Sequence, residues 1–133
     1  MKRLSVLVVD DEPALCEILQ DLLDMEGYEV TARHDFESAV EALSTGSFDL
    51  AMFDVFLSSS PVGLDLARLV LSDYPSTEVV IMTGFADQGD IQSACLSGAY
   101  TCIDKPFDLD DVVRVVGMAL SEKSPPECAS RSD

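Results

Sequence analysis

Short runs of apolar residues alternate along the chain with longer segments in which apolar residues recur every three or four positions. The runs favour buried parallel strands, and the periodic segments favour amphipathic helices that pack on such a sheet. Strands are predicted near residues 4–9, 28–32, 48–53, 78–83 and 99–103, of which the second has the weakest pattern. Because parallel strands joined by helices cross over right-handedly, this order predicts a doubly wound (βα)5 sheet with helices on both faces, a three-layer α/β sandwich.

Capping residues mark the ends of the first two predicted helices. Pro13 stands near the start of the first helix and Gly27 lies past its end. Its apolar stripe comprises Leu15, Ile18, Leu19, Leu22 and Met25. Asp35 can cap the second helix, and Gly46 ends it.

Three further helices are predicted in the second half of the chain. The third covers residues 63–71, and the fourth has Gly89 in its first turn, which lowers its expected stability. The apolar positions of that fourth helix are Ile91, Ala94 and Cys95. Asp108 begins the fifth helix, whose inward positions are predicted to be Leu109, Val112, Val113, Val116 and Leu120.

Polar residues stand at the ends of four predicted strands. Asp10 and Asp11 follow the first strand, and Asp54 follows the third. Thr83 comes at the end of the fourth strand, and Lys105 comes just past the fifth. The carboxyl ends of parallel strands lie along one edge of a sheet, where open α/β sheets build their sites. The pattern therefore predicts that three carboxylates, one hydroxyl and one ammonium converge.

Size and composition indicate one domain. The chain has 133 residues, of which 47% are hydrophobic, and this is enough for a single core. The domain is predicted over residues 1–121. Residues 122–133, rich in Ser and Pro, are predicted to form a disordered tail or the start of a linker to a longer protein.

Charge and hydropathy exclude several classes of partner. Eight Lys and Arg against 25 Asp and Glu give a formal net charge of −17, which repels a nucleic-acid backbone. A membrane helix needs roughly 20 apolar residues in a row, and neither such a run nor a secretion signal is recognisable. We therefore expect a cytoplasmic protein. The four cysteines (Cys16, Cys95, Cys102 and Cys128) lack metal-site spacing, and the first three are expected to be reduced thiols in apolar surroundings.

An acidic trio at one sheet edge calls for a cation. Repulsion among Asp10, Asp11 and Asp54 would be on the order of several kcal/mol in a partly buried cleft. An oxygen-rich site of this kind suits Mg²⁺, which would offset that repulsion. A carboxylate can also accept a phosphoryl group if neighbouring cations neutralise the developing charge, and Asp54 suits that role. Lys105 would supply a point charge, and the Thr83 hydroxyl could bind a phosphoryl oxygen and move inward. Taken singly, each of these residues also fits an ordinary helix cap, turn or solvated strand end.

The combined pattern resembles the receiver domain of two-component response regulators over about residues 3–120. The resemblance rests on Asp10-Asp11-Glu12, Asp54, Thr83-Gly84 and Lys105-Pro106-Phe107. It implies a flavodoxin-like fold with strand order 2-1-3-4-5. It also implies that a histidine kinase or phosphotransfer protein donates a phosphoryl group to Asp54, with Mg²⁺ held by Asp10, Asp11, Asp54 and the Phe56 backbone carbonyl. The Lys105–Pro106 peptide is expected to be cis.

By the same resemblance, phosphorylation would change the surface formed by the fourth predicted helix, the fifth strand and the fifth predicted helix, and so signal to a downstream protein. The switch is carried in the family by a threonine, here Thr83, and by an aromatic residue, in whose place this chain has Cys102. Tyr100 lies on the same strand face and could substitute.

The loop after Asp54 lacks the family's usual Pro and reaches Gly63 one residue late. Phe56 and Phe85 would flank the phosphoryl group, and we hypothesise that they slow its hydrolysis.

Three other functions compete with a phosphate-accepting signal carrier, which would have no enzymatic activity on an outside metabolite. An interaction module of the same fold would work without phosphorylation. A phosphohydrolase with an aspartate nucleophile would need an acid/base aspartate where Phe56 stands. A flavin-binding protein would need a phosphate loop after the first strand, where Asp10, Asp11 and Glu12 would repel the phosphate.

Overall fold

The computed structural model describes residues 3–55, 57, 62–84, 98–99 and 101–121. Their strands form one parallel sheet in the order β2-β1-β3-β4-β5, which confirms the predicted fold class. The strands are β1 (Ser5–Val9), β2 (Glu29–Arg33), β3 (Leu50–Asp54), β4 (Glu78–Thr83) and β5 (Thr101–Asp104). The helices are α1 (Pro13–Met25), α2 (Phe36–Thr45), α3 (Val62–Asp73) and α4 (Leu109–Ser121).

Helix α4 is the one that the sequence predicts as the fifth. The predicted fourth helix, with Ile91, Ala94 and Cys95, lies outside the described residues, as does the segment 122–133. The domain boundary proposed at residue 121 therefore stays a prediction. Among the described helices, none has the length and apolar character needed to cross a lipid bilayer.

Alternate residues of the central strands enter two separate cores, because successive side chains of a strand point to opposite faces. One core joins the sheet to α2 and α3, and Phe53 of β3 and Ile81 of β4 lie at its centre. The other joins the sheet to α1 and α4, and it contains Met52 and Met82 from the same two strands. These four side chains are completely buried, so the strands that carry them cannot slide without exposing apolar surface.

Local signals set the ends of α1 and α2. Pro13 begins α1, where a missing N–H costs nothing, and Gly27 follows the helix with a positive φ of 98°. The Asp35 side chain caps α2 by accepting a hydrogen bond of 2.8 Å from the Ser38 backbone N–H.

The apolar stripes of α1 and α4 are broader than the buried faces of these helices. Ile18 and Met25 belong to the predicted apolar stripe of the first helix, and Leu109 was predicted to point inward, but they are 48%, 83% and 41% exposed. The buried positions of α1 are instead Cys16, Leu19 and Leu23. The prediction was wrong because periodicity identifies an apolar face but does not show where the sheet it covers ends.

Candidate functional site

Asp10 lies at the carboxyl end of β1 and is completely buried. Its backbone N–H donates to the carbonyl of Arg33 at 3.1 Å, which continues the pairing of β1 with β2 by one residue. One carboxylate oxygen, Oδ1, accepts a hydrogen bond of 2.9 Å from the backbone N–H of Glu12. The turn into α1 therefore holds this carboxylate at the sheet edge.

Asp54 is the last residue of β3 and is 6% exposed. The next backbone N–H, that of Val55, donates to the carbonyl of Met82 in β4 at 3.0 Å. The phosphoacceptor candidate is thus fixed between two central strands rather than placed on a loose loop.

Lys105 connects the carboxylates of β1 and β3. Its Nζ donates to Asp10 Oδ2 at 2.7 Å and to Asp54 Oδ2 at 3.0 Å, and its side chain is 21% exposed. Its backbone N–H donates to the carbonyl of Thr83 at 2.7 Å, which fixes the end of β5 against β4. The following peptide bond, to Pro106, is cis as expected.

Two opposing effects act on the pKa of Lys105. Burial lowers this pKa, while the hydrogen bonds to Asp10 and Asp54 and the charges of these carboxylates raise it. The net result is a pKa above the ordinary lysine value. The ammonium is therefore fully charged at neutral pH and balances one of the neighbouring negative charges.

The three predicted carboxylates do come together. Asp10, Asp11 and Asp54 each offer one ligand oxygen, and these atoms lie within 4.8 Å of one another. Asp11 is exposed, so the cluster opens to solvent on one side. Three carboxylates and one ammonium leave a formal charge of −2, and oxygen ligands with an open side suit a hard divalent cation such as Mg²⁺. The side chains present fit a metal site.

The switch residues are only partly described. Thr83 ends β4, is 3% exposed and is paired in register with Asp104. Cys102 is a half-buried residue that packs against the core shared with α2 and α3. The Phe56 carbonyl, Phe85 and Tyr100 lie outside the described residues, so their predicted parts in metal binding, hydrolysis and switching stay predictions.

A cavity of about 820 Å³ opens beside the acidic cluster. The charged residues that line it are Asp11, Glu12, Asp54 and Lys105. The apolar residues that line it are Leu15, Ile18, Pro106, Phe107 and Leu109. The exposed apolar residues Ile18 and Leu109 are thus explained, since they line a recess next to the site.

Two structural supports of the site were not foreseen from sequence. Gly63, predicted to end the loop after Asp54 and to start a helix, lies so close to β3 that an added Cβ would stand 1.8 Å from the backbone oxygen of Asp54. The Cys16 thiol, predicted as a core residue, donates to the Asp10 carbonyl at 3.3 Å. For the close approach of Gly63, the only sequence signal is a glycine shortly after the strand-end aspartate. Nothing in the sequence indicates the hydrogen bond from the Cys16 thiol.

Burial and the charge of Asp10 raise the pKa of the Cys16 thiol to about 11, so it remains a protonated hydrogen-bond donor at neutral pH.

A doubly wound parallel sheet with an acidic cluster and a lysine at its carboxyl edge defines an open-sheet α/β protein whose site lies at the ends of its strands. Comparison with known sequences is more specific. Residues 6–117 match the response regulator receiver domain family, and the chain belongs to that family.

Relatives of known sequence are considerably longer than this chain. It is 30% identical over 117 residues to the nitrogen assimilation regulatory protein NtrX of Azorhizobium caulinodans, a match that covers 87% of the chain and 26% of NtrX. It is 30% identical over 125 residues to the response regulator protein PilR of Pseudomonas aeruginosa, covering 94% of the chain and 28% of PilR. The chain thus spans about a quarter of the length of these two relatives.

Solved structures show the same architecture. The receiver domain of NtrX from Brucella abortus superposes with a TM-score of 0.80 at 33% identity, covering 90% of this chain and 99% of that domain. A CheY-like receiver domain protein from Methanospirillum hungatei gives a TM-score of 0.86 at 26% identity, covering 91% and 96% of the two chains. The family and the fold expected from the resemblance are confirmed.

Proposed function

We propose that the chain accepts a phosphoryl group on Asp54 from a phosphohistidine of a histidine kinase or phosphotransfer protein. The observation that carries the proposal is the double hydrogen bond of Lys105 Nζ to Asp10 and Asp54. It places a fixed positive charge beside a buried carboxylate at the end of the central strand. Such an arrangement stabilises charge that develops on a transferring phosphoryl group.

In the proposed reaction, a carboxylate oxygen of Asp54 bonds to the phosphorus atom as the phosphorus–nitrogen bond to the donor imidazole breaks. The imidazole leaves with the electron pair and takes up a proton, and Asp54 becomes an acyl phosphate. Lys105 exchanges its hydrogen bond with Asp54 for one to a phosphoryl oxygen, while its contact with Asp10 keeps the ammonium in place. Hydrolysis of the anhydride restores the carboxylate.

Mg²⁺ would be held by Asp10, Asp11, Asp54 and the backbone carbonyl of Phe56. When bound, it supplies positive charge that offsets repulsion between the acidic cluster and the incoming phosphoryl oxygens. The chain's own contribution is to keep the carboxylates within 4.8 Å of one another and one of them completely buried.

The donor protein would dock over the apolar cavity. Its walls place Ile18 and Leu109 at the surface, within one recess that also contains Asp54 and Lys105. A protein that carries a phosphohistidine on an apolar helix surface would bury these side chains as it brings the phosphoryl group to Asp54.

The signal would leave through β5 and α4. Lys105 and Thr83 are joined by a backbone hydrogen bond of 2.7 Å, and Thr83 pairs with Asp104. Movement of the Thr83 hydroxyl toward a phosphoryl oxygen would therefore act directly on the end of β5. Cys102 replaces the aromatic residue of the family, so we place the switch on the strand itself, with Tyr100 as a second candidate. A downstream protein would recognise the altered surface, in the cytoplasm and without direct contact to nucleic acid.

The test is phosphorylation by a small-molecule donor. Incubation with phosphoramidate and Mg²⁺ should add about 80 Da to the protein, and Asp54→Ala should abolish the gain. Asp65→Ala is the matched control, because Asp65 is an exposed carboxylate on α3 whose partner is Arg68. A wild-type mass that stays constant, or a gain that survives Asp54→Ala, would refute the assignment. A constant mass would favour an interaction module that works without phosphorylation, whereas a surviving gain would place the phosphoryl group on another residue.

A further inference from the structure

The backbone carbonyl of Asp10 lies in an unusual environment for the end of a strand. It belongs to a residue with no exposed surface, and it is approached by two side chains. Cys16 Sγ lies 3.3 Å from this oxygen, and His34 Nδ1 lies 3.2 Å from it. A carbonyl oxygen only accepts hydrogen bonds, so the thiol donates, and Nδ1 of the imidazole carries the hydrogen.

These two donors come from different elements. Cys16 lies in the first turns of α1, and His34 directly follows β2. The amide of the same aspartate is bound on the β2 side as well, through the carbonyl of Arg33. The Asp10 backbone is therefore held on both its N–H and its C=O, by the helix after it and by the neighbouring strand.

The Asp10 side chain faces the acidic cluster. Its two oxygens accept hydrogen bonds from the Glu12 amide and from Lys105 Nζ. Repulsion from Asp11 and Asp54 acts to turn this carboxylate away from the cluster. A side chain can withdraw by rotating its own torsions or by tilting its peptide, and the two donors on the carbonyl resist the second movement.

We propose that His34 and Cys16 are positioning residues that hold the Asp10 peptide, so that its carboxylate is already placed to receive a divalent cation. The inference rests on the proposed function, since it assigns these residues to the same metal site. Preorganised ligands bind a metal more tightly because less of the binding energy is used to order them.

The two residues differ in burial, and this decides how each is tested. Cys16 is 1% exposed, so replacing it also disturbs the core. His34 is exposed, and its ring can be changed with little loss of packing. Asparagine is the informative substitution, because its amide nitrogen is the same number of bonds from Cα as the Nδ1 atom of histidine.

The experiment is calorimetric titration of the full chain with MgCl₂ at one fixed pH, for wild type, His34→Ala and His34→Asn. Mutation of a residue that hydrogen-bonds a metal ligand commonly lowers metal affinity by about 10–100-fold. His34 contacts the peptide of Asp10 and not its carboxylate, so we expect a smaller effect, with His34→Ala raising the Mg²⁺ Kd by about fivefold. His34→Asn should restore the Kd to within about twofold of wild type. Urea midpoints are measured alongside, and they should not follow the order of the Kd values.

A second pair of variants tests the buried donor. Cys16→Ser replaces the thiol with a hydroxyl that can donate to the Asp10 carbonyl, whereas Cys16→Val fills the space without a donor. We expect weaker Mg²⁺ binding in the valine variant than in the serine variant, even if the valine variant is the more stable of the two.

The outcomes separate the inference from the proposed function. Equal Kd values in wild type and His34→Ala, or an asparagine variant no better than alanine, would overturn the positioning role. If the Kd values follow the expected order but wild type gains no mass from phosphoramidate, the phosphoacceptor assignment fails while the positioning of Asp10 stands. If wild type gains the mass and both histidine variants bind Mg²⁺ like wild type, the positioning role fails while the phosphoacceptor assignment stands.

Discussion

Gly63 offers a sharp test of how closely α3 approaches the phosphoacceptor strand. A Cβ atom at this position would stand 1.8 Å from the Asp54 backbone oxygen and 2.8 Å from that of Val55. Since a Cβ atom rarely comes closer than about 3.0 Å, Gly63→Ala requires a relative shift of about 1.2 Å between α3 and the end of β3. Neither neighbour is a flexible side chain. The Gly63 amide also donates to the Val55 carbonyl at 2.9 Å, a bond that such a shift would break.

The expected cost combines strain and propensity. Overpacking costs about 1–3 kcal/mol where side chains can move, and more where backbone must move, whereas alanine gains up to about 1 kcal/mol over glycine in a helix. We expect Gly63→Ala to lower the free energy of unfolding by at least about 2 kcal/mol. With an m-value of about 1–2 kcal/mol per molar urea, the midpoint should fall by about 1–2 M. Far-UV circular dichroism is the probe, because the chain has no tryptophan.

Gly117→Ala is the matched control. It makes the same chemical change within α4, where an added Cβ would have no heavy atom of the described residues within 4 Å apart from its chain neighbours and the backbone of its own helix. The control should raise the free energy of unfolding by about 0.5–1 kcal/mol. A Gly63→Ala midpoint equal to or above that of wild type would refute the close approach of α3 to Asp54. If the variant folds, its phosphorylation by phosphoramidate should also be slower, because the displaced backbone belongs to the phosphoacceptor.

Further predictions concern titratable groups. Lys105→Met should lower the free energy of unfolding by about 2 kcal/mol, because it leaves buried carboxylates without their ammonium, and added Mg²⁺ should recover part of the loss in urea titrations. Since the folded pKa of Lys105 is raised, its stabilisation is complete below the ordinary lysine pKa of 10.5, and the difference between wild type and the methionine variant should shrink as pH rises beyond it. Hydrogen bonds from Ser38 lower the pKa of Asp35, so its stabilisation should fade as pH drops through and below 3.8, and Asp35→Asn should lack this fading. Burial raises the pKa of Cys16 from 9.0 to about 11, so as pH rises through that interval stability should fall more steeply in wild type than in Cys16→Ala, and native Cys16 should alkylate more slowly than Cys102.

The sheet was predictable because its strands are short, continuous and apolar. β4 was predicted at residues 78–83 and observed at Glu78–Thr83, whereas β5 was predicted at 99–103 and observed at Thr101–Asp104. β4 is an interior strand that is buried on both faces after its first residue, so its apolar run coincides with its length. β5 is an edge strand with mixed burial, and pattern alone does not locate its ends.

The acidic cluster was predictable for a different reason. Parallel strands carry their carboxyl ends to a common edge, so residues 44 or 95 positions apart in sequence were placed together by topology alone. Contacts made by backbone atoms were not predictable in this way. The approach of Gly63 to Asp54, and the donors on the Asp10 carbonyl, depend on helix positions to within about an ångström, which no periodicity defines.

Asp10 and Lys105 link stability and chemistry in this fold. The ion pair between them joins residues 95 positions apart, and in the sheet order β3 and β4 lie between the strands that carry them, β1 and β5. The same pair contributes little net stability, because burying two charges costs about as much as their attraction returns. The pair therefore serves to position the ammonium. Asp10, which is itself fixed by backbone hydrogen bonds, holds the Lys105 ammonium beside Asp54. When Asp54 is phosphorylated, the Lys105 ammonium is already beside it. The ammonium can exchange its hydrogen bond with Asp54 for one to a phosphoryl oxygen while it keeps its hydrogen bond with Asp10.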